Sequence, residues 1–128
     1  QQKKTPFFVR FGNIQYVRRQ IKKLKFYSFH APMNFLGKQF LLQGELAATC
    51  GDRQEASSHY RAGILHSREG GFRMDEALAN ERLASCYLEW NDPASAIPFL
   101  GEARRLYEEW GAVAKVHHFD EQFRDCLT

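Results

Sequence analysis

The sequence predicts an all-α fold of antiparallel helical hairpins stacked on one another. Three observations point to it. Turn signals recur at 30–34, Gly51-Asp52, Gly70-Gly71, Asn91-Asp92-Pro93 and Gly111, and the stretches between them carry apolar residues at helical spacing. No stretch alternates apolar and polar residues with period two, which excludes a half-buried sheet. The chain also repeats itself at an offset of 40 residues, as set out below.

The first helix is expected over 8–28. Phe7, Phe11, Ile14, Val17, Ile21 and Leu24 recur three and four apart and form one stripe. Arg19, Lys22 and Lys23 point away from that stripe, and Arg18 and Lys25 flank it. Pro32 disfavours helix in the residue before it, and Asn34 is placed to cap a second helix over 35–50. The third helix, 52–69, opens with Asp52 as N-cap and Glu55 as its capping-box partner. It closes at Gly70-Gly71. The fourth covers 75–90. The fifth starts with Asp92 as N-cap and Pro93 at the first helical position. Pro98 falls in its second turn, where a lost hydrogen bond predicts a local kink. A short sixth helix over 112–125 ends the chain.

Shifting the chain by 40 residues lays Gly51-Asp52 on Asn91-Asp92, Ala56 on Ala96, Tyr60 on Leu100, Gly63 on Ala103, Glu69 on Glu109 and Gly71 on Gly111. Helices two and three therefore form one hairpin, and helices four and five a second copy. Each hairpin fits the size pattern of the tetratricopeptide repeat. Small residues stand where the two helices cross (Gly44 and Ala84, Ala56 and Ala96, Gly63 and Ala103). Large ones stand where hairpins meet (Phe40, Tyr60, Leu83, Tyr87 and Leu100). The fold expected is a short tetratricopeptide-like solenoid with capping helices. Residues 1–33 form a basic N-terminal cap, 34–71 the first hairpin, 72–111 the second, and 112–128 a C-terminal cap. The apolar stripe of the first helix is expected to pack near Phe35, Phe40 and Leu42.

Charge is divided unevenly. Residues 1–44 hold nine Lys and Arg and no acid, Glu45 being the first carboxylate; the remainder holds nine bases and all 15 acids. The two parts carry +9 and −6, which points to an acidic partner for the N-terminal part. Three cysteines at wide spacing argue against a disulfide framework and for an intracellular, reducing compartment, the cytoplasm foremost. Cys50 and Cys86 are expected as small buried hydrophobes. No apolar run reaches the roughly 18 residues of a membrane span. The opening Gln-Gln-Lys-Lys-Thr-Pro has neither an initiator Met nor an apolar signal core, so a piece of a longer or processed chain is expected.

Three stretches carry a family resemblance. They are 30–47 (HAPMNFLGKQFLLQGELA), 71–81 (GFRMDEALANE) and 107–116 (YEEWGAVAKV). Together they resemble the helical repeat region that follows the AAA-like ATPase in large multidomain hybrid histidine kinases and related serine/threonine kinases. The likeness spans about residues 16–123. It implies a signalling scaffold joining sensor and output domains, and it transfers no active site.

No enzyme signature accompanies the repeats. Gly70-Gly71 lacks the Lys-Ser or Lys-Thr of a phosphate loop, and no Ser sits in a nucleophile elbow. His117-His118 with Asp120 and Glu121 is the densest set of candidate metal ligands. Adjacent helical residues diverge by about 100°, so a solvated helix end is expected there instead. His59 and His66 share a face of the third helix; a phosphoacceptor role for His66 is weighed against packing, and packing is expected. Neither cofactor nor metal is expected.

The function expected is therefore non-catalytic: a protein–protein interaction scaffold that meets a protein partner or the flanking domains of a parent chain. By repeat position, the exposed groove consists of Lys38, Leu41, Glu45, Leu78, Glu81, Ser85, Leu88 and Glu89. Leu41, Glu45, Glu81 and Ser85 stand where chaperone-binding members of the class place Lys, Asn and Arg to clamp a carboxylate, so no such clamp is expected. The alternative rests on the first helix. Arg18, Arg19, Lys22, Lys23 and Lys25, with Phe26, Tyr27 and Phe29, form a surface suited to nucleic acid or to an anionic membrane.

Overall fold

The structure is a computed structural model and describes residues 13–127. Seven helices follow one another among these residues, with no strand: α1 (Ile14–His30), α2 (Pro32–Thr49), α3 (Arg53–Gly70), α4 (Arg73–Glu89), α5 (Pro93–Glu109), α6 (Val113–Gln122) and the single turn α7 (Arg124–Leu127). Neighbours in sequence are neighbours in space. The closest pairings are α2 with α3 and α4 with α5, and α3 packs on α4 to stack one hairpin on the other. The all-α architecture of stacked hairpins read from the sequence is the one observed.

Local signals set most helix ends. Asp52 accepts the Glu55 N–H at 3.1 Å and Asp92 accepts the Ser95 N–H at 3.3 Å, as N-caps do. Gly51, Gly71, Asn91 and Gly111 have φ of +84°, +79°, +62° and +84°, the left-handed conformation that glycine, and next asparagine, tolerates. These four residues stand twenty apart. Each turn is closed by the same hydrogen bond: the N–H of Asp52, Phe72, Asp92 or Ala112 donates to the carbonyl of Ala47, Ser67, Tyr87 or Tyr107 at 2.9–3.0 Å.

Several expected boundaries move. α2 begins at Pro32, not near Phe35, and Asn34 lies inside it; Ala31 takes the N-cap position without a side-chain cap. Proline has no N–H to lose at the first helical position, so it starts the helix. α4 begins two residues earlier than expected, at Arg73. α5 runs through Pro98 as one helix with Pro98 exposed. The last helix divides at Phe123, whose side chain turns into the core. The start expected for α1, with Phe7 and Phe11, lies outside the described residues.

Small residues set the crossings. Ala56, Ala84, Ala96 and Ala103 have no exposed surface. A Cβ on Gly44 would lie 2.8 Å from the Tyr60 ring, and one on Gly63 would lie 3.3 Å from the Leu41 backbone nitrogen. Gly37, which the repeat comparison missed, plays the same part: its Cβ would lie 2.9 Å from the Ser67 backbone nitrogen. Among the described residues the core around these crossings falls into three clusters, between α4, α5 and α6, between α2, α3 and α4, and between α1 and α2. In the last, Val17 and Ile21 meet Leu42 and Leu46. Phe35 touches Tyr27 instead, with ring centroids 5.2 Å apart. Phe40 turns to α3, where it stacks on His59 and His66.

Candidate functional site

The groove expected on α2 and α4 is largely closed by its own side chains. Glu45, Glu81 and Ser85 are buried, which corrects the expectation that they are exposed. For the two glutamates the cause is pairing with the helix two places on, α2 with α4 and α4 with α6. Glu45 Oε2 accepts from Tyr60 Oη at 2.8 Å and from Arg82 Nε at 3.1 Å. Arg82 is itself 1% exposed, so the pair ties α2 to α4 deep in the molecule. Glu81 Oε1 accepts from Tyr107 Oη at 2.8 Å, and Lys115 Nζ of α6 lies 3.3 Å from it. Lys38 Nζ pairs with Asp75 at 2.7 Å and lies 3.7 Å above the Phe72 ring. Leu41 and Leu88 are half-buried against the core clusters and Leu78 is half-buried, which leaves Glu89 exposed.

Electrostatics at this junction follow from burial. Burial pushes the Glu45 carboxyl above its usual range, against the pull of the Arg82 charge and of the hydrogen bonds from Tyr60 and Arg82. Burial, then the Glu45 charge, raise the Tyr60 phenol and push the Cys86 thiol up to about 12. Glu45, Tyr60, Arg82 and Cys86 are all buried, so their polar atoms are spent on packing α2, α3 and α4 together. The signal for this junction was the polar run Asn80-Glu81-Arg82 between the apolar stretches Ala77-Leu78-Ala79 and Leu83-Ala84. Periodicity cannot say that such residues face inward, because both sides of α4 are covered.

The remaining candidate ligands disperse. Among the described residues no three His, Cys, Asp or Glu side chains gather to hold a metal. His117 and His118 are exposed, and Asp120 is taken by a bidentate pair with Arg104 at 2.6 and 2.9 Å. His66 stacks on Phe40 at 5.4 Å and sits 3.5 Å from Glu69, as a packing histidine does. Cys86 is buried as expected, but Cys50 is exposed: it caps the C-terminus of α2, beyond the packed stripe.

The open surface is α1. Arg18, Arg19, Lys22, Lys23 and Lys25 are all exposed, and none of them pairs with a carboxylate among the described residues. Tyr16, Phe26, Tyr27, Phe29 and Met33 are exposed beside them by 45–83%. Arg19, Lys22, Lys23, Phe26 and Tyr27 line a shallow depression of about 490 Å³. The arrangement suits an anionic or acidic surface with an apolar component. No helix among the described residues is long and apolar enough to cross a membrane. No family model, no curated protein and no solved structure matches the chain.

Proposed function

We propose that this chain is a non-catalytic protein–protein interaction scaffold of tetratricopeptide-like type, working as a fragment or subunit of a larger signalling or multi-protein assembly. The observation that carries the reading is the division of charge. Among the described residues most cations from α2 to α6 pair with carboxylates, Lys38, Arg68, Arg73, Arg82, Arg104 and Lys115 between helices and Arg105 within α5, Arg53 and Arg61 being the exceptions, whereas the five on α1 face solvent without a carboxylate and with exposed aromatics beside them. The likeness of 30–47, 71–81 and 107–116 to kinase-associated repeats supports the signalling context. An exposed free thiol at Cys50 fits a reducing compartment.

The experiment is photo-crosslinking of the whole chain in extract of its source. A crosslinking side chain would be placed in turn at exposed Tyr16 on α1, Met74 on α4 and Ile97 on α5. A defined protein captured from at least one position is the expected result. Capture of none from any position removes the scaffold reading. The second reading, association of α1 with nucleic acid or an anionic membrane, is favoured by the same exposed cations and by Phe29 at 83% exposure. Retention on anionic vesicles or oligonucleotides, with no protein captured, would select it.

A further inference from the structure

The 40-residue period of the hairpins extends to α1. Ile14, Arg53 and Pro93 open α1, α3 and α5, and Pro32, Arg73 and Val113 open α2, α4 and α6, each within one residue of that spacing. The faces correspond as well. α3 and α5 each use two faces, one toward the helix before and one toward the helix after. Toward the helix after, α3 sets Ser57 and Arg61 on Tyr87, and α5 sets Arg104 on Asp120. The equivalent positions of α1 are Val17, Ile21 and Leu24, and Val17 and Ile21 pack on Leu42 and Leu46 of α2. Toward the helix before, α3 buries Ala56, Gly63 and Ser67, and α5 buries Ala96, Ala103 and Tyr107. The equivalents on α1 are Tyr16, Lys23 and Tyr27, and all three are exposed, the Tyr27 ring, at the edge of the face, also touching Phe35 of α2.

α1 thus stands as the second helix of a hairpin and turns its pairing face outward. We infer that this face docks an acidic amphipathic helix of a partner protein, antiparallel to α1, in the position that α2 and α4 take against α3 and α5. The inference rests on the scaffold reading and names the partner's chemistry. Three observations select the occupant. Tyr16 and Lys23 replace the small residues of α3 and α5, so the incoming helix stands off and meets side chains, not backbone. Arg19, Lys22 and Lys23 on and beside the face call for carboxylates, while Phe26 and Tyr27 call for an apolar stripe between them. A second copy of α1 would be repelled by like charge, and Lys3, Lys4 and Arg10 add to the positive charge of this part of the chain instead of opposing it.

The other end of the stack shows what a plain cap looks like. At the positions of α6 and α7 equivalent to buried Ala77 and Ala84 stand exposed His117 and Arg124, in a surface whose charges balance: Arg104 with Asp120, and Arg124 with Glu121. A cap needs a polar outer face, and α6 provides one with both signs. α1 carries one sign only, joined to aromatics.

The test uses the whole chain and four probes: a synthetic helical peptide with a Leu stripe flanked by Glu, the same composition scrambled, phosphatidylserine–phosphatidylcholine vesicles, and an oligothymidine strand. The helical acidic peptide should bind, more weakly as salt rises. The scrambled peptide should bind less tightly by roughly tenfold, and Lys22→Glu with Lys23→Glu should weaken the helical peptide by roughly tenfold or more. Phe26→Ala should weaken it without changing the salt dependence. Equal binding of the two peptides, indifference to the charge reversal, or preference of the same residues for vesicles or the oligonucleotide overturns the inference. Crosslinking of a protein from Met74 or Ile97 with none from Tyr16 also overturns it, while leaving the scaffold reading intact.

Discussion

At the residue scale, the junction of Glu45, Tyr60, Arg82 and Cys86 is where the chain departs furthest from a plain apolar core. A buried ion pair contributes little net stability, but removing one partner strands the other charge. Glu45→Ala should therefore cost about 3–5 kcal/mol. Glu45→Leu with Arg82→Met should cost far less, and a double-mutant cycle of urea unfolding measures the difference. Burial has a second readout in the thiols. With Cys86 pushed up to about 12, its thiolate is scarce at neutral pH, whereas Cys50 is exposed. An alkylating reagent should label Cys50 in the native protein and Cys86 only on unfolding, which mass spectrometry of timed quenches reads directly.

Among the elements, the hairpin crossings make the sharpest demand. Gly44→Ala places a methyl 2.8 Å from the Tyr60 ring, and Ala96→Leu enlarges a residue with no exposed surface. Each should overpack its hairpin and cost about 1–3 kcal/mol, seen as a lower urea midpoint. The α5–α6 contact has a pH dependence of definite sign. Hydrogen bonds from Arg104 hold the Asp120 carboxyl below its usual range. A depressed carboxyl stabilises the fold fully above its unfolded pKa of about 4, and that contribution is lost as pH falls below it. The stability gap between the native chain and Asp120→Asn should therefore close as pH drops from 5 toward about 2, in urea titrations at each pH.

On the scale of the molecule, α1 has two faces with separate consequences. Ile21 is 7% exposed and belongs to the only cluster that joins α1 to the stack among the described residues. Ile21→Asp buries an unpaired charge and should destabilise the module by about 3 kcal/mol or more. Lys22→Glu with Lys23→Glu, on the exposed side, should change stability by no more than about 0.5 kcal/mol. Thermal melts of the two variants distinguish the faces, and an α1 detached from the hairpins would leave both unchanged.

The sequence by itself determined the helices, their order and their pairing. Those properties rest on local chemistry: Asp52 and Asp92 as caps, residues that accept positive φ at 51, 71, 91 and 111, and small residues repeating at a fixed offset. It also displayed the basic N-terminal part of the chain, because no acid precedes Glu45. Which repeat positions stay open was decided only by the tertiary structure. Glu45 and Glu81 read as groove residues, because a charged side chain on a helix normally seeks water. They are buried because Arg82, Tyr60, Tyr107 and Lys115, from 15 to 37 residues away, converge on them. The outward pairing face of α1 likewise became visible only once α1 was seen to occupy the place of α3 and α5. A face is defined by the neighbour it lacks, and one strand of sequence does not show its neighbours.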